Sequence, residues 1–156
     1  MMTIAAARSD RDLATVRELF QEYADSLDFD LEFQDFQREL EDLPGEYAEP
    51  RGCLLLGFEN GAAAGCVALR EFGDAVAELK RLYVRPQFRG SGLGRLLTQR
   101  IIDEAWARGY VRILLDTVPS MTAAIALYGS LGFKPIAPYR YNPIDGALFM
   151  ALELAR

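Results

Sequence analysis

The stretch from Glu78 to Arg100 constrains this chain most, because it joins three kinds of local structure in a fixed order. Leu79, Leu82, Tyr83 and Val84 form an apolar, partly β-prone run, and Arg85-Pro86 ends it, since proline lacks the N–H that a ladder needs. Arg89-Gly90-Ser91-Gly92-Leu93-Gly94 follows. Leu93, Leu96, Leu97, Ile101 and Ala105 then recur at helical spacing. A strand, a glycine turn and a helix start leave backbone N–H groups pointing outward, and such a terminus attracts anions, above all phosphate. The local charge agrees: Leu79 to Ile102 contains Lys80, Arg81, Arg85, Arg89, Arg95 and Arg100 and no acid, in a chain of net charge −6. The stretch therefore reads as a pyrophosphate cradle.

Two common cradles do not fit. A P-loop needs a lysine and a hydroxyl residue after its last glycine, and none follows here. A dinucleotide fingerprint needs a third glycine three places after the second, where this chain has Arg95. Asp116 stands near the distance of that fingerprint's ribose-binding acid, so the exclusion rests on the glycine spacing and on Pro86.

At 156 residues, 51% apolar and 26% charged, the chain reads as a single domain, 1–156, able to bury a real core. No apolar run reaches the length of a membrane helix, and the start MMTIAAARSD has no signal-peptide pattern. The acidic balance argues against a nucleic-acid partner. Cys53 and Cys66 both fall in expected strands and read as buried thiols rather than a disulfide. The chain has no histidine, which removes histidine triads and histidine metal sites, so no metal is expected.

Along the chain the pattern gives a short strand at 3–7, then a capping box at Ser9 and Asp12 opening an amphipathic helix to Leu27. A second helix is expected over 34–42. Strands at 52–59 and 65–71 flank the hairpin signal Asn60-Gly61. The strand, cradle and helix follow, with Gly109 as the helix stop. A strand at 111–117, a helix opened by Pro119-Ser120 and closed by Gly132, a strand at 133–136 and a last strand at 147–154 complete the order. Strand, helix and strand across the cradle make a parallel crossover.

Three parts of the chain, Leu82-Tyr83-Val84 with Pro86, Arg89-x-x-Gly92-x-Gly94, and Leu127-Tyr128-Gly129-Ser130-Leu131-Gly132-Phe133, resemble in order and spacing the GCN5-related N-acetyltransferases (GNAT). The resemblance runs nearly end to end. It implies an α/β (α+β) fold, with a mixed central sheet of about seven strands flanked by about four helices. It also implies a cytoplasmic enzyme that moves an acetyl group from acetyl-CoA to a primary amine of a small molecule, amino acid or peptide. A homodimer through the C-terminal strands would follow the family habit. A module that holds acetyl-CoA as a sensor without turnover is the alternative from another class.

By the same resemblance, Leu82, Tyr83 and Val84 would present unpaired backbone to the pantetheine arm, and Arg89, Gly90, Ser91, Gly92, Leu93, Gly94 and Arg95 would hold the pyrophosphate. The N–H of Leu82 would face the oxyanion. Tyr128 would protonate the leaving thiolate, with a packed core aromatic as the alternative. Glu78 would be the general base, directly or through water, with Lys80, Leu82 and Val84 on its face by strand alternation. An ion-paired strand residue is the alternative for Glu78. Many relatives carry Asn where this chain has Met121. Phe29, Phe33, Tyr139, Arg140 and Tyr141 fall in segments that flank the acceptor cleft in relatives. Arg140 could pair with a substrate carboxylate there, and Asp28, Asp30 and Glu32 could attract a cation.

Overall fold

The structure is a computed structural model describing residues 1–155, with Phe33 described by its backbone alone. Its elements follow the expected order. β1 (Met2–Ala6) leads to α1 (Asp10–Ser26), where Ser9 and Asp12 form the capping box, each side chain bonded to the other's backbone N–H. A 3-10 turn (Glu32–Gln34) and α2 (Phe36–Asp42) stand where one helix was expected, because Asp35 between them takes a left-handed conformation at φ 58°. β2 (Cys53–Glu59), β3 (Ala62–Gly73) and β4 (Val76–Val84) form a meander. Asn60 and Gly61, both at positive φ, make its first turn. α3 (Leu93–Ala107), β5 (Arg112–Thr117), α4 (Thr122–Ser130), β6 (Lys134–Pro135) and β7 (Leu148–Glu153) follow.

The strands form one seven-stranded sheet in the order β1-β2-β3-β4-β5-β7-β6. Every pairing is antiparallel except β4 with β5. A core lies on each face. α3 covers Leu55, Val67, Leu69, Leu79 and Ile113, with Leu93, Leu97 and Ile101 from the helix side. α1 and α2 cover Leu54, Leu56, Cys66 and Ala68 with Val16, Leu19, Phe20 and Leu40. This two-sided burial explains why β2 reads as a continuous apolar run rather than an alternating one.

Two irregularities in β4 shape everything that follows. First, β4 and β5 pair only where Val76–Glu78 faces Arg112–Leu114, and beyond that point the strands part. β5 keeps its pairing with β7 up to Thr117, so the sheet opens into a V rather than ending. Second, β4 carries a bulge: Cys66 faces Tyr83 and Ala68 faces Lys80, so one residue of β3 opposes Arg81 and Leu82 together. Arg81 absorbs the extra residue at φ 62°.

The bulge corrects the alternation argument. Glu78 and Lys80 point to the α1–α2 side, as their partners Arg70 and Ala68 do. Leu82 and Val84 pack on the α3 side. The four residues do not share a face, because the strand changes phase at Arg81.

Candidate active site

The V between β4 and β5 opens onto a groove of about 640 Å³. Its walls are Leu82, Tyr83 and Val84 of β4, Arg89 to Gly94 without Ser91, residues 120–124 at the start of α4, Leu127, and Ser26 to Asp28 after α1. The backbone of the loop is set by its glycines: Gly90 and Gly92 sit at φ 83° and 93°, where a Cβ is strained, and Gly92 caps α3. No side chain caps that terminus, so its N–H groups stay open to the groove. Of the expected coenzyme residues, Ser91 turns inward to donate to the Phe88 carbonyl at 2.7 Å, and Arg95 donates to Ser130 Oγ at 2.7 Å from outside the groove wall.

The basic window divides on inspection. Arg81 is held by Glu39, Arg85 by Glu18 and Glu22, and Arg100 by Glu104. Lys80 is buried on the opposite face. Of the six basic residues of the window, Arg89 and Arg95 at the loop and the buried Lys80 have no carboxylate partner among the described residues. Half of the charge read from the sequence is internal pairing. Arg89 stacks over the Tyr83 ring and donates through Nε to the Val84 carbonyl at 2.9 Å, so that carbonyl is already taken.

Behind the groove, sharing Tyr23, Leu82, Met121 and Ala124 as common wall, lies a smaller cavity of about 50 Å³. Its further lining includes Phe29, Gln34, Lys80, Arg81, Asp116, Tyr128 and Asn142. Its parts come from α1, the turn at 32–34, β4, β5, α4 and the loop after β6. Tyr128 is buried, with its ring tilted against Phe133 at 5.6 Å. Its hydroxyl makes no hydrogen bond among the described residues. Burial, followed by Tyr23 and Asp116, raises its pKa well above the usual phenol value, so it keeps its proton. Tyr23 is likewise raised, first by burial. Asp116 accepts from Asn142 Nδ2 at Oδ2, 3.0 Å, and its other oxygen has no partner among the described residues. Met121 fills the position where asparagine is frequent in relatives, and Thr117 Oγ1 approaches its sulfur at 3.5 Å.

Glu78 is placed otherwise than expected. It is fully buried and lines neither cavity. Its Oε1 accepts from Arg70 and Arg140 at 2.8 and 2.9 Å, and its Oε2 accepts from the Tyr139 hydroxyl at 2.7 Å. A carboxylate engaged by two guanidiniums and a phenol, and reaching neither cavity, has no route to an amine held there. The ion-paired reading is the one the geometry favours, and the network ties the segment after β6 to β4. Tyr139 is half-buried and packs edge-on against Phe72 and Phe149, so its ring does not face either cavity's lining. Tyr141 is 75% exposed and lines neither cavity. Of the expected acceptor residues, Phe29 alone lines the inner cavity, and the Phe33 side chain lies outside the described residues. The sequence reading passed over Lys80, Gln34, Tyr23, Asp116 and Asn142 as a group. The one available signal was an acid closing the apolar strand Arg112–Thr117, which was weighed only against the dinucleotide fingerprint.

Among the described residues no helix is long and apolar enough to cross a membrane, and no group of side chains is placed to hold a metal ion. Comparison with known proteins adds the lineage. The model of the acetyltransferase (GNAT) family matches residues 13–133. An uncharacterized N-acetyltransferase of Schizosaccharomyces pombe is 40% identical over 99% of this chain and 96% of its own. The ribosomal-protein-S18-alanine N-acetyltransferase of Escherichia coli superposes with TM-score 0.75 at 28% identity, covering 100% of this chain and 96% of that one. A Salmonella typhimurium protein solved with its cofactor acetyl-CoA superposes with TM-score 0.71 at 26% identity, covering 99% and 94%.

Proposed function

The chain belongs to the GNAT family of acetyltransferases, and from that premise we propose that it transfers the acetyl group of acetyl-CoA to a primary amine held in the inner cavity. One observation carries the reading: the parting of β4 and β5 joins a groove with an open helix terminus to a cavity holding a buried phenol that has no hydrogen-bond partner among the described residues.

The groove fits the coenzyme on its own geometry. Main-chain N–H groups between Arg89 and Gly94 would take the diphosphate, and Arg89 and Arg95 would add charge. Gly94 has no positive φ and its missing Cβ would meet nothing closer than 3.8 Å, so no packing within the protein demands glycine there. Close approach of a ligand does. Backbone groups of β4 beyond Glu78 lack a partner on the β5 side and would bond the pantetheine amides as an added strand. The bound thioester supplies an activated acyl carbon.

The acceptor amine forms the new C–N bond as the C–S bond breaks. Three protein groups serve that exchange. The backbone N–H of Leu82, at the bulge and without a register partner, faces the carbonyl oxygen as its charge grows. The Tyr128 hydroxyl gives its proton to the departing sulfur. The free oxygen of Asp116 takes the proton that the amine loses, while Asn142 holds the other oxygen. Glu78 acts at one remove: by gripping Tyr139 and Arg140 it fixes the segment that delivers Asn142 to Asp116.

The test is release of free thiol from acetyl-CoA across a panel of amines and amino acids. Turnover with any primary amine, lost in Tyr128→Phe and Asp116→Asn while acetyl-CoA still binds, supports the reading. Binding of acetyl-CoA with no transfer to any acceptor would mark a sensor instead.

A further inference from the structure

Lys80 is a buried charge without a buried counter-charge. It is 8% exposed, lines the inner cavity, and its single hydrogen bond among the described residues goes to Gln34 Oε1 at 3.1 Å. An amide oxygen carries no formal charge, and two of the three ammonium N–H groups are left over. The nearby carboxylates are committed elsewhere. Glu78 is shared between Arg70 and Arg140, and Glu39 is taken by Arg81. Arg140 has a further buried N–H, at Nε, with no partner among the described residues. Arg140 lines no cavity, so it supplies field there rather than contact. The result is an excess of positive charge around one end of a cavity too enclosed for bulk water to screen. Burial first, and then Arg81, lower the Lys80 pKa to about 8, the mark of an ammonium short of an anion.

At the cavity's other functional group, Asp116, the polarity is reversed, because one carboxylate oxygen stands free. An acid and an ammonium on the walls of one small cavity match a molecule that carries both an ammonium and a carboxylate. A plain amine would satisfy Asp116 and leave Lys80 uncompensated. The cavity's roughly 50 Å³ admits a head group a few waters in size, with the remainder of the molecule directed towards the shared wall.

We propose that Lys80, steadied by Gln34, seats the carboxylate of the acceptor, so that the amine acetylated here belongs to a free amino acid or a similar small aminocarboxylate. This rests on the acetyltransferase reading above and narrows its acceptor class.

The experiment compares amino acids with their carboxamides on the full chain, both as acceptors in thiol release and as ligands in calorimetry of the CoA-loaded protein. The acids are expected to be favoured over their amides by about 100-fold in kcat/KM, the scale of a buried charge pair losing one partner. Lys80→Met is expected to collapse that preference through KM, with the heat of acetyl-CoA binding unchanged. Lys80→Arg, which keeps the charge, retains part of it. Equal use of acids and amides overturns the proposal, as does an equal loss on both in Lys80→Met. Failure of every acid to bind the CoA-loaded protein also overturns it. In that case the acetyl-CoA heat, measured in the same cell, decides the acetyltransferase reading separately: heat without transfer to any amine removes that too.

Discussion

The groove and the inner cavity share a wall but are built from different material. The groove is mostly main chain: two glycines at positive φ, an uncapped helix terminus and a strand edge left bare where β4 and β5 part. The cavity is side chain: Tyr23, Gln34, Lys80, Asp116, Tyr128 and Asn142, brought together from six separate segments. A site made of backbone needs a short run of permissive residues and leaves a compact trace in sequence. A site made of side chains needs the whole fold to assemble it. On the proposed reading, that difference separates what would bind a common carrier from what would choose the acceptor.

The comparison predicts effects that fall on one region and spare the other. Tyr128→Phe removes the proposed proton donor of the cavity and should lower kcat by about 100-fold or more. The acetyl-CoA dissociation constant should stay within about twofold, since burial leaves both side chains packed in the same place. Equal losses in turnover and coenzyme affinity would show that the two regions are not separable.

Glu78→Gln should act on the cavity's frame rather than on the groove. It leaves Arg70 and Arg140 buried against an amide, and losing one member of a buried ionic cluster costs about 3–5 kcal/mol of stability. Chemical denaturation reads that directly. Because Glu78 is argued to work through Asn142, the variant's pH profile for kcat should move toward that of Asn142→Ala. A catalytic base would instead show a loss of turnover with stability intact.

Gly92→Val strikes the groove alone. A β-branched residue at φ 93° strains the loop by about 1–3 kcal/mol. Acetyl-CoA should bind about 10- to 100-fold more weakly, while an acceptor at saturating coenzyme should keep its KM. The last effect is on stability and belongs to Lys80. Its folded pKa, about 8, lies below the ordinary lysine value of 10.5 because burial opposes the charge. Between those values the unfolded chain holds more protons, so stability should climb with pH there, and the penalty is fully present below about pH 8. Lys80→Met should flatten that climb and raise the melting temperature at neutral pH.

The elements read well from sequence where the signal was local. Ser9 with Asp12, Asn60-Gly61, and Arg89 to Gly94 each declare themselves within six residues, and each is found as expected. Two inferences failed for want of long-range information. The basic window looked more cationic than it is because the acids that neutralise Arg81 and Arg85, Glu39 and Glu22, lie 42 and 63 positions away in sequence. The shared face of Glu78 and Leu82 failed because nothing about arginine at position 81 announces a left-handed bulge residue. The acceptor-side aromatics follow from their segments alone, yet Tyr139 spends its ring on Phe72 and Phe149 and Tyr141 faces outward. Tyr128 was legible through its Leu-Tyr-x-x-Leu-Gly-Phe context, whereas Asp116 sits in a strand whose pattern says only that it is apolar and short.

The central claim is that the main chain between Arg89 and Gly94 grips the coenzyme by its diphosphate. Calorimetric titration of the full chain with coenzyme A, and separately with pantetheine, which lacks the diphosphate and nucleotide, tests it in one comparison. Saturable heat with coenzyme A and none with pantetheine at the same concentrations is the predicted result. No heat with coenzyme A, or equal heat with both, would contradict the account.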